Sequence, residues 1–378
     1  MHIVVFEHDF YPNLSGSSLV RWRFCQLAVD RGHEVTVFTH RTGYLPRREV
    51  IEGVRILRPI GLKPAQLPGT TGLAIVFEFL TTFFLLPYAM FWIWRNDIDG
   101  IHATAHDMFW ISKIVSTLLG IPCVTFVGYT PSLRAQNQPL VESLLERINF
   151  RFCMGETVYC RVPSTMDRVR KTDDCDMYQI HGVVNSETVI DAVENADIER
   201  IRERWCTDRD DTLLVFVGRL SPKKNPSSAL DIIEELPSEY KLVIVGDGPL
   251  SDQLQDEVAE RGMGDSVFLE GELPHEETLQ ITLAADATLL TSTVEAYPTV
   301  AFEGLAMNNT VFAPPVGILP HINHSRLVVA EIEELSRSVV STPLKSRHEV
   351  DRETLEQFSI EVYADHILSE LERLSTTY

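Results

Sequence analysis

The fold of this chain is decided by one stretch, from Thr293 to Asn308, which reads T-V-E-A-Y-P-T-V-A-F-E-G-L-A-M-N. An apolar run over Ala287 to Leu290 precedes it and predicts a buried strand. Pro298 is then expected at the first position of a helix, where its missing N–H costs nothing. The free N–H groups around residues 297–300 would form a positive helix end, which predicts an anion site at this corner.

Two glutamates flank this predicted anion site. Glu295 stands just before the helix, and Glu303 lies deeper inside it. Backbone donors between two carboxylates would suit a pyrophosphate with a hydroxyl-bearing ring on either side, which is the chemistry of a nucleotide-sugar. By spacing alone, the simpler alternative of a capped surface helix with solvated glutamates stays open.

The same stretch, in the form E-A-Y-P-T-V-A-F-E-G-L-A, resembles the signature of the retaining glycosyltransferases of family 4, which are group 1 glycosyltransferases with the GT-B fold. The resemblance implies that Glu295 contacts the transferred sugar as the catalytic residue. It implies that Glu303 holds the ribose of the donor nucleotide. Tyr297, Pro298 and Thr299, between the two glutamates, are expected to bind the donor as well.

A second motif, L-L-V-F-V-G-R-L-S-P-K-K-N, spans residues 213–225 and resembles the V-G-R-L-x-x-x-K-G pattern of that family. The resemblance places Arg219 and Lys224 where the donor diphosphate is neutralised, with Asn225 in place of the usual glycine. A leaving nucleoside diphosphate gains negative charge, and fixed cations in a dry site stabilise it. A solubilising loop is the alternative interpretation.

The start of the chain predicts a β-loop-α-β unit. Strands are expected over His2 to Phe6 and Glu34 to Phe38, with a helix from about Ser18 to Arg31 between them. Doubly wound folds bind phosphate where such a loop meets its helix. Relatives carry two adjacent glycines here, and Gly16 followed by Ser17 keeps half of that pattern on the expected acceptor side. Simple helix capping by these residues is the alternative.

The chain departs from the family at its histidine positions. Relatives carry a histidine after the strand predicted at 123–127, and V-T-F-V-G-Y puts Gly128 there. The family's H-A-H reads His102-Ala103-Thr104 in this chain. His106 could approach the acceptor side from the adjacent loop, or it could be an ordinary surface residue. The roles of His102, His106 and Gly128 are therefore left open.

The most apolar segment is 72–94, whose length would just span a bilayer. Glu78 lies inside it and Pro87 is expected to break it, and a buried charge costs about 3 kcal/mol on insertion scales. Three interpretations stay open: a membrane span, ordinary buried helices, and a lipid-facing patch. The crowding of Phe, Trp and Leu favours a peripheral membrane contact over a span.

Composition excludes some partners. The chain has 378 residues and a formal net charge of −21, which argues against nucleic acid and anionic membranes as partners. Lys and Arg number 33 against 54 acidic residues, and few of the basic residues are lysines. This balance is typical of proteins adapted to high salt and favours an archaeal, halophilic source, with an acidic mesophilic enzyme as the alternative.

The cysteines and the first residues predict a cytoplasmic protein. The six cysteines are scattered without metal-ligand spacing, so they are expected to be reduced, and no metal site or cofactor is expected. The opening M-H-I-V-V-F is too short an apolar run, without a basic leader, for a signal peptide. The protein is thus expected in the cytoplasm. Residues 72–94 are the segment through which it could contact the inner face of the cell membrane.

Together these features predict an α/β protein of GT-B type, with two Rossmann-like doubly wound domains facing across a cleft. The expected domains are an acceptor-side domain at 1–184 and a nucleotide-sugar-binding domain at 185–355. A C-terminal helix at 356–378 is expected to cross back to the first domain.

The predicted function is transfer of a hexose, with retention and without a metal, from a UDP-, GDP- or similar sugar to a glycan or a polyprenyl- or other lipid-linked acceptor. The expected products are surface glycans or protein N-glycans. Two alternatives stay open: a nucleotide-sugar epimerase, and a degenerate scaffold that binds an active transferase. Gly128 and Thr104 favour the scaffold.

Overall fold

The computed structural model describes residues 1–8, 10–12, 16–41, 43, 45–61, 72–128, 140–171, 175–206, 208, 210–344 and 348–377, excepting the side chains of 16–17, 72–79 and 140–145. The chain forms two compact units. Unit 1 comprises Met1–His181 together with Ile360–Tyr378, and unit 2 comprises Gly182–Ser359. The boundaries predicted from sequence lie at 184/185 and 355/356.

Unit 1 is built on an eight-stranded sheet in the order β3-β4-β2-β1-β5-β6-β7-β8. All neighbouring strands are parallel except β3 and β4. The strand order reverses between β1 and β5, which defines the switch point of a doubly wound sheet. The strands are β1 (His2–Phe6), β2 (Glu34–Phe38), β3 (Arg48–Ile51), β4 (Val54–Leu57), β5 (Gly100–Ala103), β6 (Cys123–Val127), β7 (Thr157–Cys160) and β8 (Asp176–Gln179).

The edge strand β3 is a feature that sequence analysis missed. It joins β4 through Glu52 and Gly53, which have φ of 50° and 80°. Two consecutive residues with positive φ form the hairpin turn that fits the twist of the flanking strands. Glutamate is uncommon in such a turn, so residues 52–53 do not predict a hairpin from their types alone.

Among the described residues before 182, five helices pack on this sheet. They are α1 (Gly16–Asp30), α2 (Gly72–Trp94), α3 (Phe109–Leu119), α4 (Leu140–Phe152) and α5 (Pro163–Arg170). The expectation that Pro87 breaks the apolar segment is wrong, because α2 runs through it. Pro87 faces outward while Leu85, Ala89 and Ile93 are buried in the core, so their packing offsets the backbone hydrogen bond that proline removes. Among the described residues, no helix has the length and apolar character required to cross a membrane.

Unit 2 is built on a six-stranded parallel sheet in the order β11-β10-β9-β12-β13-β14, with the switch point between β9 and β12. The strands are β9 (Thr212–Val217), β10 (Tyr240–Val245), β11 (Val267–Gly271), β12 (Ala287–Leu289), β13 (Thr310–Ala313) and β14 (Leu327–Val329). The helices are α6 (Ser186–Glu194), α7 (Ile198–Arg202), α8 (Pro226–Glu234), α9 (Ser251–Glu260), α10 (His275–Ala284), α11 (Thr299–Ala306), α12 (Ile332–Ser341) and α13 (Arg352–Phe358).

The last helix, α14 (Ile360–Ser375), belongs to unit 1, which confirms the predicted return to the first domain. Tyr363 on α14 is fully buried, and its hydroxyl lies 2.7 Å from Nε2 of His102 in β5. Leu371 packs so closely on β5 that a Cβ at Gly100 would lie 2.8 Å from its Cδ2. The helix therefore completes the core of unit 1.

Candidate functional site

The switch point of unit 2 brings together the two motifs that the sequence singles out. Parallel strands β9 and β12 are neighbours, and the loops after their carboxyl ends carry Lys224 and Glu295. Nζ of Lys224 donates a hydrogen bond to Oε1 of Glu295. The hydroxyl of Ser292 donates to the same oxygen at 2.9 Å. Glu295 is thus a partly buried carboxylate held by a lysine and a hydroxyl.

Hydrogen bonds tie the two loops to each other. The Thr291 hydroxyl donates to the carbonyl of Asn225 at 2.8 Å, and the Thr293 N–H donates to the carbonyl of Lys223 at 2.9 Å. Asn225 has φ of 51°, in the left-handed region that asparagine tolerates better than most residues. This conformation explains how asparagine can stand where relatives carry glycine.

A third loop, after β13, supports the backbone of Glu295. Gly317 has φ of 58°, and a Cβ on it would lie 2.6 Å from the carbonyl oxygen of Glu295 and 2.4 Å from that of Ala296. The Ile318 N–H donates to the carbonyl of Ala296 at 3.1 Å. Only glycine fits this close approach, so Gly317 fixes where Glu295 stands.

The helix after Glu295 begins one residue later than expected. Pro298 is the residue before the helix, with φ of −74° and ψ of 106°, and Thr299 is its first residue. Pro298 has no N–H, and no side-chain hydrogen bond caps this helix start. Tyr297 is buried and stacks on Phe302 at 4.3 Å between ring centroids, which anchors the turn. The N–H groups of Thr299 and Val300 therefore remain available to an anion, while that of Ala301 donates to the carbonyl of Pro298 at 3.1 Å.

Glu303 is buried on α11 and faces His275, the first residue of α10. Nε2 of His275 lies 2.9 Å from Oε1 of Glu303. This hydrogen bond raises the pKa of His275 above its ordinary value, although partial burial opposes the shift. Sequence analysis did not find His275, and only the adjacency of α10 and α11 reveals it.

Arg219 lies two residues after β9 and is exposed. In the part of the chain that the structure describes, no ion pair or side-chain hydrogen bond holds its guanidinium. Two glycines in the loop after β10 pack closely against the backbone on either side of Arg219. A Cβ on Gly246 would lie 2.0 Å from the carbonyl oxygen of Gly218, and a Cβ on Gly248 would lie 2.3 Å from the carbonyl oxygen of Leu220. The backbone around Arg219 is therefore well ordered while its side chain projects outward.

The site residues predicted in unit 1 have different surroundings. Gly16 is the first residue of α1, and the side chain of Ser17 lies outside the described part. His102 is fully buried, with Nδ1 3.2 Å from the carbonyl of Val124. Because a carbonyl only accepts, Nδ1 carries the proton and Nε2 accepts from Tyr363. Burial lowers the pKa of His102 to about 3, so it is a neutral core residue.

Gly128 and His106 lie at the carboxyl edge of the same sheet. A Cβ on Gly128 would lie 2.7 Å from the ring of Phe126, so a histidine there would require Phe126 to move. The Phe126 ring lies under the guanidinium of Arg161, 5.1 Å from ring centroid to Cζ. His106 opens a short 3-10 helix, and Asn149 donates to its carbonyl at 2.7 Å.

Sequence analysis missed a buried polar cluster at the switch point of unit 1. Glu7, just after β1, accepts from the Thr104 hydroxyl at 2.6 Å and pairs with Nε of Arg21 at 2.5 Å. Burial raises the pKa of Glu7, and Arg21 opposes that shift. Polar residues directly after buried strands were the signal that could have found Glu7 and Thr104.

Both the sequence and the fold of this chain resemble those of known proteins. Residues 197–334 match the family described as glycosyl transferases group 1. The structure of sucrose-phosphate synthase from Thermosynechococcus elongatus superimposes with a TM-score of 0.77 at 17% identity, over 100% of this chain and 99% of that one. Residues 197–334 thus resemble the group 1 glycosyltransferases. The chain has the GT-B fold, which confirms the predicted fold class, and the predicted resemblance to group 1 glycosyltransferases is confirmed as well.

Two further proteins resemble this chain. The GPI3 subunit of phosphatidylinositol N-acetylglucosaminyltransferase from Saccharomyces cerevisiae strain YJM789 is 25% identical over 354 residues, which cover 88% of this chain and 72% of that protein. Anabaena HepE, solved in complex with UDP, has a TM-score of 0.72 at 16% identity and covers 99% of this chain and 100% of that one.

Proposed function

We propose that this glycosyltransferase moves a hexose from a nucleotide-diphosphate sugar to a hydroxyl of a glycan or lipid-linked acceptor, with retention, as in family 4. The observation that carries the proposal is the contact between Lys224 and Glu295 at the switch point of unit 2. A cation, a carboxylate and an uncapped helix start lie there on adjoining loops. This combination suits a diphosphate esterified to a hydroxyl-rich sugar.

The leaving diphosphate determines the proposed chemistry. The bond from the anomeric carbon to the diphosphate oxygen breaks, and the acceptor oxygen bonds to the same face of that carbon. The acceptor proton passes to an oxygen of the leaving phosphate. Arg219, Lys224 and the N–H groups at Thr299 meet the developing negative charge, so the reaction as proposed needs no metal ion.

The two glutamates are assigned different parts of the donor. Glu295 accepts from hydroxyls of the transferred sugar, and Glu303 accepts from the ribose. Both carboxylates are largely buried and already hydrogen-bonded, to Lys224 and His275 respectively. Preformed orientation favours binding because less freedom is lost when the donor arrives.

The relatives support narrower classes of donor and acceptor. HepE has been solved with UDP, which supports a UDP-sugar as donor. The GPI3 relative is named for transfer of N-acetylglucosamine to phosphatidylinositol, which supports a lipid-linked acceptor. We propose surface-glycan or protein N-glycan biosynthesis in the cytoplasm, on the inner face of the cell membrane, as the setting, in a salt-adapted and archaeal cell.

Helix α2 supports contact with lipid. Its exposed apolar face consists of Leu80, Phe83, Phe84, Phe91 and Trp94. Phe91 is 57% exposed and Trp94 is 70% exposed, although the opposite side of the helix is buried in the core. Aromatic side chains favour the interface between membrane and water. We therefore propose that this face lies against the membrane that holds the acceptor.

A catalytically degenerate scaffold is the second candidate function. It is favoured by Gly128, which leaves no histidine at that position, and by His102, which is a neutral core residue. A nucleotide-sugar epimerase would use the same donor site and consume donor without an acceptor. Donor binding and acceptor-dependent turnover separate the three functions.

Thermal unfolding of the full chain in molar KCl, with UDP, GDP, ADP or dTDP, tests the donor site. We expect one nucleoside diphosphate to raise the unfolding midpoint and Lys224→Ala to abolish the increase. Lys241→Ala is the matched control, because Lys241 is the second residue of β10, near the amino end of that strand, and donates to the carbonyls of Ser238 and Asp265. No shift with any nucleotide in the folded wild type would favour the scaffold.

Turnover then tests the chemistry. With the preferred sugar nucleotide and a polyprenyl phosphate acceptor, we expect Glu295→Ala to lower kcat by at least about a hundredfold and to change nucleotide affinity little. If donor is consumed equally without acceptor, the epimerase is favoured. If Glu295→Ala weakens nucleotide affinity and spares kcat, Glu295 does not act on the sugar.

A further inference from the structure

Three ligand-bearing residues converge at the switch point of unit 1. His8 lies two residues after β1, His40 two residues after β2, and Asp107 in the 3-10 helix after β5. The sheet order β2-β1-β5 makes these three strands neighbours, and all are parallel. Their carboxyl ends therefore bring two imidazoles and one carboxylate to a single place.

The distances fit one small cation. One ligand atom from each of His8, His40 and Asp107 lies within 4.8 Å of the others. Nδ1 of His8 is 2.8 Å from Oδ2 of Asp107, and Nε2 of His40 is 3.9 Å from the same oxygen. Ligand atoms around a tetrahedral zinc ion, each about 2.0–2.1 Å from it, stand roughly 3.3 Å apart. The two measured distances lie on either side of that value, so small rotations of the side chains suffice.

The backbone holds both histidines in place. The His40 N–H donates to the carbonyl of His8 at 3.3 Å, and the Thr39 hydroxyl donates to that same carbonyl at 2.7 Å. This backbone support lowers the cost of assembling a metal site. Nε2 of His40 lies 3.0 Å from the hydroxyl of Thr82 on α2, a hydrogen bond that a bound ion would replace.

The surroundings are only partly open to water. His40 is buried, and the side chains of His8 and Asp107 are 24% and 17% exposed. A bound cation would therefore be attracted to the carboxylate more strongly than at an open surface. Some access remains for an ion to enter and for water to complete its coordination.

We propose that His8, His40 and Asp107 form a binding site for a divalent transition-metal ion, with Zn²⁺ as the representative ion. Two imidazoles with one carboxylate suit Zn²⁺, Fe²⁺ or Co²⁺, whereas Mg²⁺ and Ca²⁺ prefer oxygen ligands throughout. The ion would connect the ends of β1, β2 and β5 and stabilise unit 1. Three protein ligands leave at least one position for water or for a hydroxyl-bearing molecule.

The alternative is a cluster of His–Asp hydrogen bonds that holds no ion. A metal site binds a fixed number of ions per chain and gives a Co²⁺ absorption band, whereas a hydrogen-bonded cluster does neither. Neither observation depends on transferase activity. The proposal therefore stands or falls independently of the proposed function.

The experiment uses the full chain, stripped with a chelator and dialysed into metal-free buffer with molar KCl. Isothermal titration with ZnCl₂ and absorption spectra with CoCl₂ measure binding, and MgCl₂ is the control ion. We expect one Zn²⁺ per chain, an increased unfolding midpoint with Zn²⁺, and an intense visible Co²⁺ band typical of four- or five-coordinate sites. Mg²⁺ should give none of these.

Variants separate this site from other histidines. His40→Ala and the isosteric Asp107→Asn should each weaken Zn²⁺ binding at least about tenfold and remove the Co²⁺ band. His366→Ala is the matched control, because His366 is an exposed histidine of the same unit on α14, and it should bind as the wild type does. Circular dichroism verifies that each variant is folded. Zn²⁺ binding that is absent in the wild type, or unchanged in folded Asp107→Asn, would overturn the proposal.

Discussion

Each of the two glutamates at the proposed donor site is paired with a basic side chain. Lys224 holds Glu295, and His275 holds Glu303. In a chain of net charge −21, a buried carboxylate with no partner would be repelled by its surroundings. The pairs therefore orient both glutamates before a ligand arrives. Each carboxylate can still accept a hydrogen bond from a hydroxyl group of the donor through its remaining lone pairs.

The role proposed for Glu303 predicts a specific loss of nucleotide affinity. Replacing it in Glu303→Ala removes a charge-assisted hydrogen bond to the ribose, worth about 1.5–3 kcal/mol, so Kd for the preferred nucleoside diphosphate should rise roughly 10- to 150-fold. Isothermal titration measures it. Glu276→Ala, which removes an exposed glutamate beside His275, should leave Kd unchanged. An unchanged Kd in Glu303→Ala would refute the ribose role.

The pair of His275 and Glu303 predicts a pH-dependent stability. Because the hydrogen bond raises the pKa of His275, its contribution is complete below the unfolded value of about 6.5 and is lost as pH rises through the raised folded pKa. Nearly half of the His275 side chain is exposed, so the contribution is only about 0.5 kcal/mol.

Urea unfolding of the wild type and His275→Gln at constant KCl measures this contribution. The difference in unfolding free energy should be largest near pH 6 and vanish near pH 9. The identical comparison for His366→Gln, on an exposed histidine of unit 1, should show no such trend. A difference that grows with pH would mean that the pair has the opposite linkage.

At the scale of elements, the loop after β13 determines the position of Glu295. Gly317→Ala should destabilise unit 2 by about 1–3 kcal/mol, because the added Cβ meets the carbonyls of Glu295 and Ala296 and the backbone has positive φ. It should also lower kcat, since Glu295 moves. Gly264→Ala is the control, as no atom lies within 4 Å of its added Cβ. Urea unfolding measures the loss of stability, and turnover measures the loss of kcat. If Gly317→Ala keeps the wild-type unfolding free energy and kcat, the loop adapts to the added Cβ without moving Glu295.

The exposed apolar face of α2 predicts binding to vesicles. The double variant Phe91→Ser/Trp94→Ser removes two exposed aromatic side chains and should weaken co-sedimentation with phosphatidylcholine vesicles more than tenfold. Leu118→Ser/Val340→Ser removes two exposed apolar side chains elsewhere and should have little effect. Equal binding by both double variants would show that this face does not touch lipid.

At the scale of the whole molecule, the excess of carboxylates predicts stabilisation by salt. Raising KCl from about 0.1 M to about 2 M shortens the screening length from about 10 Å to below about 3 Å and weakens self-repulsion. A gain of about 1 kcal/mol would raise Tm by roughly 2–4 °C. Scanning calorimetry measures it, with sucrose at equal osmolality as the control for preferential exclusion. A Tm that rises no more in KCl than in sucrose would contradict the expectation.

Much of the architecture was predictable because parallel strands are short apolar runs, as in His2–Phe6 and Cys123–Val127. The two donor motifs also lie at strand ends as expected. The cluster of His8, His40 and Asp107 was not predictable, because its members are dozens of residues apart and only the sheet order unites them. Contacts that depend on the order of strands in a sheet produce no periodic pattern of residue types in the sequence.

The position of α14 has a consequence for synthesis on the ribosome. Unit 1 starts with the first residues of the chain, yet Tyr363 and Leu371 of its core are translated only after all of unit 2. The amino-terminal sheet therefore emerges with an uncovered apolar groove beside β5, and unit 2 can finish folding first. Of the two units, the one whose synthesis begins first is therefore completed last.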